Sequence, residues 1–593
     1  MGCDNEQSAA AKLPLGEQTY DRSMPPLPRN SDVADALDEL ADVSEVLGEQ
    51  GFRVIAYRRA ATRVRETAAS IAELAVAGRA KELPGIGATI EAKIVELTET
   101  GHMAALEKRR AEVPGEVTQF LRLPGLGPKT AARIWRELDV TTLEGLREAA
   151  EQQRVRTLQG LGAKSEEKIL AALDKGLGAE PERRGLLGVG LPVVREVVEA
   201  LREHPAAVEV SGAGSVRRGR ETFRDLDVIA TATDPAALIG HFVGLPWVLE
   251  VAARGATKAT VVTKQGLRLD LRVVPPEDYG SLLQHFTGSK DHNVALREDA
   301  QRRGLSISEY GVTVIETADV HRFRTEEELY EFLGYAWIPP ELRENAGELA
   351  AARDGELPTL VEVADLRGEL HCHSTWSSDG RSTIEEMARA AKAAGDKYLA
   401  MTDHSHYLRD GRLEAQWREI DEVNERVAPF RVFKGIEANI RSDGSIDVAD
   451  EVLAELDWVV ASLHSAFDRS PTERILAALD NPHVDSIGHL TGRKLNKRPG
   501  ADVDVEKVVA RAVETGTALE INSQPDRLDM RDVHARLAGE AGVRIPITTD
   551  AHSAGALRYR ELGVAQARRA WLTKEQVLNT RSWREVAPRR RRG

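Results

Sequence analysis

The sequence predicts a multidomain protein with all-α domains first, an α+β region in the middle and an α/β barrel at the C-terminus. Three observations support this order. A Leu-x-Gly-apolar-Gly motif occurs three times before residue 170, and each copy leads into a helical pattern. Short alternating apolar runs that carry aspartates follow between residues 208 and 274. After residue 367, short apolar runs alternate with amphipathic helices, which is typical of a parallel sheet or barrel.

The composition fits a chain of several ordinary globular domains. With 593 residues, the chain has room for about four domains. It has no apolar run long enough for a membrane span and no secretion signal at its start, so we expect no membrane association. The cysteines are Cys3 and Cys372, which suits a reducing compartment and predicts a cytoplasmic protein.

The net charge of −15 argues at first against a nucleic-acid partner. Basic residues nevertheless cluster locally, in residues 53–65 and 589–592. Carboxylates that bind metal ions also count as negative, although they form cation sites. The local motifs therefore carry more weight than the total charge.

Composition also indicates how the regions between the motifs are organised. Residues 1–31 are rich in Pro, Ser and Gln without periodicity, so we expect a disordered leader. Residues 278–290 open a further subdomain, which continues with a helix and with a single strand over 307–315. Residues 339–365 combine three prolines with many charges and predict a linker with helical pieces.

The glycine motif occupies Leu83–Ile94, Leu123–Ile134 and Leu158–Ile169. Glycine permits a tight turn between two helices, and the free N–H groups at the start of the second helix suit a phosphate. This helix-hairpin-helix pattern is a sequence-tolerant grip on the DNA backbone. One copy fits any pair of antiparallel helices, whereas three nearby copies favour phosphate binding. The candidate DNA-binding residues are Gly85, Gly87, Gly125, Gly127, Gly160 and Gly162.

The α+β region carries a candidate metal site at Asp225 and Asp227. Residues two apart in a strand point the same way, so both carboxylates lie on one face. They repel each other unless a cation lies between them, and such hard oxygen ligands suit Mg²⁺ or Mn²⁺. Asp270 adds a third carboxylate from a strand that we expect to be adjacent. Together the three predict a two-metal nucleotidyl-transfer site.

A turn of small residues precedes these aspartates, at Gly212, Gly214 and Ser215. Its exposed N–H groups, with Ser215 and Arg218 as further donors, suit a triphosphate beside the metals. The alternative is a polar hairpin with two surface aspartates, because the Asp-x-Asp pattern is common. The glycine-serine turn and Asp270 favour the catalytic interpretation.

In the barrel region, nearly every apolar run ends in His, Asp, Glu or Asn. The C-terminal ends of strands line the active site of parallel barrels. Imidazole and carboxylate suit Zn, Mn or Fe, and so many ligands predict two or three metals, which generate hydroxide for phosphoester hydrolysis. A single strand-end histidine is commonly structural, but that explanation does not extend to nine ligands at one end. The candidates are His371, His373, Asp379, His404, Glu437, His464, His489, Asp550 and His552.

These motifs carry a resemblance to known families. Residues 32–340 resemble a family X DNA polymerase, similar in layout to DNA polymerase beta, and residues 366–570 resemble a PHP (polymerase and histidinol phosphatase) domain. The combination resembles the bacterial and archaeal family X polymerases. The boundaries implied are a leader (1–31), a lyase-like helix-hairpin-helix domain (32–113), fingers (114–180), a nucleotidyltransferase palm (181–274), a thumb (275–340), a linker (341–365), a PHP metallohydrolase domain (366–575) and a basic tail (576–593).

The resemblance implies roles for the residues of the palm. Asp225, Asp227 and Asp270 are expected to bind the catalytic Mg²⁺ or Mn²⁺ ions, with Asp270 also favouring attack by the primer 3′-hydroxyl. Ser215 and Arg218 match the positions that hold the incoming deoxynucleoside triphosphate.

The resemblance also implies a nucleotide-binding turn at Phe286, Gly288 and Asn293. This sequence departs from the family pattern there, since His285 stands where the vertebrate enzyme has tyrosine and Lys290 replaces an acid.

Further roles are implied for the two ends of the chain. Lys93 aligns with the Schiff-base lysine of the family's deoxyribose-phosphate lyase domain; the alternative is a solvated helix lysine or a phosphate contact. The implied PHP ligand sets are His371, His373, Glu437 and Asp550 for the first metal, Glu437, His464 and His489 for the second, and Asp379, His404 and His552 for the third.

The expected function is DNA repair by a monomer that fills short gaps in gapped or nicked DNA. The PHP site is expected to act as a Mn²⁺-dependent 3′–5′ exonuclease, with 3′-phosphatase or abasic-site endonuclease activity as in some members. One alternative is a PHP nuclease with a degenerate polymerase platform. Another is a small-molecule phosphatase such as histidinol phosphatase, against which the helix-hairpin-helix repeats argue.

Overall fold

The structure is a computed structural model. It describes residues 27–28, 30–49, 52–66, 71–83, 85–114, 116–121, 123, 126–158, 160–174 and 184–586. Most of the expected leader, the turn residue Gly125 and the arginine-rich end of the expected tail lie outside the described residues. Among the helices that the structure describes, none has the length and apolar character needed to cross a membrane.

The described residues form two compact units, with the boundary after Pro114. The first unit is all-α. Its helices are α1 (Asn30–Val46), α2 (Phe52–Glu66), α3 (Ile71–Val76), α4 (Ala88–Thr100) and α5 (Ala104–Glu112). Val33, Leu37, Leu40 and Val43 recur at helical spacing along α1, and all four are buried inside the unit.

The second unit begins with four more helices. They are α6 (Val117–Phe120), α7 (Pro128–Leu138), α8 (Leu143–Glu151) and α9 (Ala163–Asp174). In all three copies of the glycine motif a helix begins directly after the second glycine, namely α4 after Gly87, α7 after Gly127 and α9 after Gly162. The predicted all-α helix-hairpin-helix region is therefore confirmed.

The region expected to be the palm contains a five-stranded mixed sheet in the order β2-β4-β7-β6-β5, in which β4 and β7 are parallel. Helices α10 and α12 cover one face and α13 the other. Its elements are β1 (Gly185–Leu186), α10 (Leu187–Arg202), β2 (Ala207–Ala213), α11 (Gly214–Arg217), β3 (Thr222–Phe223), β4 (Leu226–Ala232), α12 (Pro235–Val243), β5 (Val248–Arg254), β6 (Lys258–Thr263) and β7 (Arg268–Val274).

The next region, expected to be the thumb, begins with α13 on the palm sheet and packs three further helices with a three-stranded antiparallel sheet. Its elements are α13 (Tyr279–Thr287), α14 (Lys290–Arg302), β8 (Leu305–Ser308), β9 (Gly311–Val314), β10 (Val320–His321), α15 (Glu326–Phe332) and α16 (Glu348–Asp354). The single strand expected over 307–315 was wrong, because the chain reverses between β8 and β9. Gly311 makes the reversal possible with a φ of 136°, a value that side chains disfavour.

Residues 341–365, expected to be a linker with helical pieces, contain the helix α16, but they pack onto the thumb region, so the prediction of a separate linker was wrong. Apolar residues of this segment lie in the thumb core (Leu342, Ala352 and Leu360). Several of the charges in this segment have partners in the surrounding structure. Glu348 contacts Nδ1 of His292 at 2.6 Å, and Arg343 is completely buried.

Arg343 belongs to a buried ion cluster centred on Glu326. The Glu326 carboxylate accepts hydrogen bonds from Arg343 (2.5 and 3.1 Å) and from Arg217 (2.8 Å to each oxygen). Burial opposes ionisation of Glu326, but the two arginines outweigh it and lower the pKa of Glu326 to about 2. The cluster joins the turn after β2 to the thumb region.

The C-terminal region forms a curled parallel sheet in the order β11-β12-β13-β14-β15-β16, followed by the parallel pair β17-β18. A parallel bridge between Cys372 and Ala551 brings the two ends together, as expected for a distorted barrel. Its elements are β11 (Gly368–Cys372), α17 (Ile384–Ala393), β12 (Tyr398–Met401), α18 (Arg412–Val427), β13 (Arg431–Asn439), α19 (Asp450–Leu453), β14 (Trp458–Ser462), α20 (Pro471–Leu479), β15 (Ser486–Ile487), α21 (Val505–Thr515), β16 (Ala518–Leu519), β17 (Ile521–Asn522), α22 (Asp532–Glu540), β18 (Ile547–Thr548), α23 (Arg560–Arg569) and α24 (Trp583–Val586).

The barrel and the palm region share a core. Leu528 and Leu562 of the barrel are buried among the apolar residues of the palm sheet and its helices. At Gly188 a Cβ atom would lie 2.7 Å from Cβ of Pro525, so the two backbones approach closely there. Around this apolar contact, Arg195 pairs with Glu561 at 2.7 Å.

We predict that Glu326→Gln lowers the free energy of unfolding at pH 7 by about 3–5 kcal/mol, because it leaves buried Arg343 without its anion. The folded-state pKa of Glu326 lies below the ordinary 4.5, so its contribution is fully present above about pH 4.5. The contribution is lost as the pH falls toward 2, and the difference between wild type and variant shrinks with it. Denaturant unfolding at several pH values measures this.

The control is Glu137→Gln, which removes an exposed pair with Arg133 and is expected to leave stability unchanged. Equal stability of wild type and Glu326→Gln at pH 7 would contradict the prediction.

Candidate active sites

The three palm carboxylates meet at one end of the parallel strand pair. Asp227 and Asp270 face each other in register on β4 and β7, and Asp225 lies immediately before β4. Thr260, on the neighbouring strand, donates a hydrogen bond to Oδ1 of Asp270. Burial raises the pKa of Asp227 to about 7, and the charges of Asp225 and Asp270 add to the effect. Such mutual repulsion is what a bound dication would relieve.

Gly214 holds the preceding turn against this carboxylate pair. Its φ is 66°, and a Cβ atom there would lie 2.3 Å from Oδ2 of Asp227. Only glycine therefore lets the turn approach the site so closely. Ser215 follows Gly214 in the first turn of α11.

Arg218 is largely buried at the end of this turn. Its Nε donates to Glu344 Oε1 (2.9 Å), and its Nη1 donates to the backbone oxygen of Thr287 (2.8 Å). The guanidinium is therefore held by the thumb region, while its turn adjoins the carboxylates.

The expected nucleotide-binding turn lies between α13 and α14. The Asn293 amide donates to the backbone oxygens of His285 (2.7 Å) and Gly288 (3.3 Å), so this side chain closes the turn. A Cβ atom on Gly288 would lie 2.4 Å from Asn293 Oδ1. The ring of Phe286 stacks under the guanidinium of Arg272, whose carbon lies 4.4 Å from the ring centre.

The described turns of the helix-hairpin-helix motifs are open to solvent. An added Cβ atom would meet no other atom within 4 Å at Gly85, Gly87, Gly127, Gly160 or Gly162. Gly85 and Gly160 adopt φ values of 92° and 87°. A phosphate backbone could approach these turns closely.

A cavity of about 950 Å³ lies beside the first of these turns. Lys93 of α4 is one of its lining residues, together with Gly85 and Gly87. Further basic residues in the lining are Arg53, Lys81, Lys108 and Arg109. The cavity thus combines a phosphate-type turn with several cations.

In the barrel, Glu437 lies at the centre of the histidines. Its Oε1 is 3.1 Å from Nε2 of both His464 and His489 and 3.4 Å from that of His371. Its Oε2 is 2.7 Å from Nδ1 of His404. Two ligands of one ion lie roughly 3 Å apart when each bond is about 2.1 Å, so this spacing suits a metal.

Asp550 and Asp379 extend the cluster on either side. Oδ1 of Asp550 is 3.1 Å from Nε2 of His373, and Oδ2 of Asp379 is 3.3 Å from Nε2 of His552. Asp379 is 41% exposed and Asp550 only 5%, so the cluster opens to solvent on the Asp379 side. All nine residues expected from the sequence are therefore brought together.

The grouping of ligands differs in part from the expected sets. Among the residues that the structure describes, three groups have ligand atoms within 4.8 Å of one another: His371 with His373 and Asp550, His404 with Glu437 and His464, and His373 with His404 and His552. His404 therefore faces Glu437 as well as Asp379, which lies 3.6 Å from its other nitrogen. His373 likewise stands between two groups.

The donor atoms of this cluster fit metal ions. Nε2 of His371 and of His373 and Oε2 of Glu437 are buried, and their contacts with other candidate ligand atoms lack hydrogen-bond geometry. Unsatisfied buried polar atoms are costly unless a ligand occupies them. Burial opposes protonation of His404, but Glu437 and Asp379 raise its pKa to about 11, so a proton serves as the cation when no metal is bound.

Models of known families match the chain along most of its length. A helix-hairpin-helix domain matches residues 28–103, and a tandem of the same type matches 117–175. The DNA polymerase beta thumb matches 282–344, and the PHP domain matches 369–524.

A relative from Bacillus subtilis (strain 168), named DNA polymerase/3′–5′ exonuclease PolX, is 41% identical over 566 residues. The alignment covers 94% of this chain and 98% of that protein. The chain belongs to the PolX family. Two shorter relatives, both named probable phosphatases, resemble one third of the chain. They come from Thermoanaerobacter sp. (strain X514), with 32% identity over 36% of the chain and 89% of the relative, and from Acetivibrio thermocellus, with 31% identity over 31% and 78%.

Sequence reasoning missed Glu520, which orients two of the candidate metal ligands of this PolX member. Glu520 accepts from Nδ1 of His371 and from the backbone N–H of His489, both at 2.5 Å, which directs the other nitrogen of His371 toward the cluster. Asp403 accepts from Ser374 and Ser377 and so orders the loop before Asp379. A charge inside an apolar run, as in Leu519-Glu520-Ile521, was the available signal.

Arg527 was missed as well. Its Nε lies 3.7 Å from Oδ2 of Asp550, so a positive charge borders the cluster. It stands in a loop after β17, where no periodic pattern marks it.

We predict that Mn²⁺ binding to the barrel releases protons and becomes tighter from pH 6 to pH 8. The reason is that the raised pKa of His404 keeps a proton that the metal must displace. Isothermal titration calorimetry in two buffers of different ionisation enthalpy measures the release. Glu437→Gln is expected to bind at least one ion fewer, by elemental analysis, while His483→Ala, elsewhere in the domain, keeps the wild-type content. Affinity that falls with rising pH would contradict the prediction.

Proposed function

We propose that this protein is a DNA polymerase and 3′–5′ exonuclease that fills short gaps and trims 3′ ends during DNA repair. The observation that carries the polymerase activity is the registered pair of Asp227 and Asp270 with Asp225 beside it. The substrates are gapped or nicked DNA and deoxynucleoside triphosphates, and a monomer acts alone. The B. subtilis relative bears the name of both activities.

In the polymerase site, Asp225, Asp227 and Asp270 would hold two Mg²⁺ or Mn²⁺ ions, which supply Lewis-acid activation of the 3′-hydroxyl and stabilise the leaving pyrophosphate. Thr260 fixes one oxygen of Asp270 and leaves the other to face the primer. Ser215 and Arg218 bind the triphosphate. Asn293 holds the turn that carries Phe286 against the nascent base pair.

In the barrel, the nine ligands would hold two or three Mn²⁺, Zn²⁺ or Fe ions, which supply hydroxide at neutral pH. Glu520 keeps His371 oriented, and Arg527 binds the scissile phosphate from the buried side. The 3′ end enters where Asp379 and His552 are exposed. The same site serves as a 3′-phosphatase, an activity that the resemblance to probable phosphatases favours.

A separation-of-function test addresses both activities. Asp225→Asn/Asp227→Asn is expected to lower primer extension at least about 10³-fold, because the metals lose two ligands. His371→Ala/His373→Ala is expected to remove degradation by a similar factor and to spare extension. Both are measured with end-labelled gapped DNA, Mn²⁺ and dNTPs.

Wild-type protein that never extends the primer would reject the polymerase proposal and favour a platform for the nuclease. Hydrolysis of histidinol phosphate with untouched DNA would favour a small-molecule phosphatase. Loss of both activities in either double variant would contradict the independence of the two sites.

A lyase activity is the second candidate, favoured by the basic cavity around Lys93. An amine beside a phosphate-binding turn can form a Schiff base with an abasic-site aldehyde. Borohydride is expected to trap wild type on 5′-deoxyribose-phosphate DNA, with at least about 10-fold less adduct for Lys93→Ala. Lys108→Ala, from the same cavity, is the matched control. Equal trapping by all three proteins would assign Lys93 to phosphate contact.

A further inference from the structure

One carboxylate, Glu344, is shared by arginines from two domains. Its Oε1 accepts from Nε of Arg218 in the palm at 2.9 Å and from Nη1 of Arg569 at 2.8 Å. Arg569 is the last residue of α23, a barrel helix that places Val564 and Ala567 in the barrel core and Leu562 in the core of the palm region. Arg569 of the PHP domain therefore contacts Glu344, which in turn binds Arg218, the residue expected to bind the triphosphate.

Arg569 is fixed in this position. Its side chain is only 4% exposed, and its Nε and Nη2 both donate to Oδ2 of Asp532 (2.9 and 2.6 Å). Its Nη1 also donates to the backbone oxygen of Arg218 at 3.1 Å. The next part of the turn rests on the same helix, since a Cβ atom on Gly219 would lie 3.1 Å from that of Ala565. The barrel helix therefore binds the backbone of Arg218 directly, and it reaches the Arg218 guanidinium only through the shared carboxylate of Glu344.

The charge balance gives this contact a consequence for nucleotide binding. Three arginines (Arg218, Arg220 and Arg569) surround two carboxylates (Glu344 and Asp532), which leaves one excess positive charge. A carboxylate shared by two guanidinium groups neutralises each only in part. Without Arg569, the Glu344 carboxylate would pair with Arg218 and no longer be shared with Arg569. The excess positive charge that attracts a triphosphate would then be lost.

We propose that Arg569 of the PHP domain is a positioning residue for nucleotide binding at the polymerase site, acting on Arg218 through Glu344. The proposal rests on the proposed role of Arg218 toward the triphosphate. It makes the PHP domain part of the polymerase apart from its own hydrolytic chemistry. The coupling is structural and needs no ion in the barrel.

The test is steady-state gap filling with Arg569→Ala, Arg569→Lys, Arg568→Ala and Arg218→Ala. We expect Arg569→Ala to raise the KM for dNTP about 10-fold, within the range of couplings between sites, with kcat changed less than about 2-fold. Arg569→Lys keeps the charge but not the forked geometry and is expected to rescue in part. Fluorescence anisotropy is expected to give an unchanged Kd for gapped DNA, and 3′–5′ exonuclease activity is expected to be unchanged.

Arg568→Ala is the matched control, because Arg568 lies on the same helix but pairs with Glu341 at 2.7 Å. We expect its KM for dNTP to stay at the wild-type value. The double variant Arg218→Ala/Arg569→Ala is expected to match Arg218→Ala alone, since both changes act on one contact. If Arg569→Ala does not fold, Arg569→Gln, which removes the charge but keeps an amide donor, is expected to raise the KM for dNTP in the same direction.

Distinct outcomes overturn distinct parts of the proposal. An unchanged KM for Arg569→Ala, beside a raised KM for Arg218→Ala, overturns the positioning role and leaves the proposed nucleotide site intact. Equal effects of Arg568→Ala and Arg569→Ala indicate general loosening of the interface and also overturn it. An unchanged KM for Arg218→Ala removes the proposed role of Arg218 and the positioning role with it.

Discussion

Buried carboxylates constrain this fold, because each one needs a compensating cation or a proton. Where the framework must be fixed, the chain supplies arginine, as for Glu326 with Arg343 or Asp396 with Arg560. Where chemistry is expected, the carboxylates instead face one another, as Asp227 and Asp270 do, or imidazoles, as Glu437 does. These two environments distinguish structural ion pairs from candidate metal sites. They also explain how a chain with a negative net charge can still bind a polyanion.

The same distinction describes how the two candidate sites are connected. Arginine clusters lie between the palm, the thumb and the barrel, whereas the carboxylates of the candidate metal sites lie at strand ends inside each domain. Apolar packing by Leu528 and Leu562 makes the contact between palm and barrel continuous. Rigid placement of one site therefore depends on side chains that belong to the other domain.

The sequence was most informative where chemistry repeats at a fixed spacing. A local geometry that needs no distant partner is predicted by each of these motifs, namely the three glycine turns, Asp225-x-Asp227 and His371-x-His373. It was least informative where a residue acts through tertiary contacts. Neither Glu520 nor Arg569 stands in a periodic pattern, since their partners are far away in the sequence. The segment 341–365 was misjudged for a related reason, because its charges read as solvent-exposed until their buried counter-ions are known.

The packing of residues 341–365 has a consequence for how this protein can be divided. The end of the polymerase-like half fills the thumb core, and its next residues run on into the barrel core, where Val361 is fully buried. Cleavage of the chain within residues 341–365 would expose apolar surface on both fragments and would remove residues that bury Arg343. The polymerase-like half and the barrel are consecutive in sequence, but they do not separate as folding units. A protein that contained only one of them would need polar residues on the surface that this chain buries.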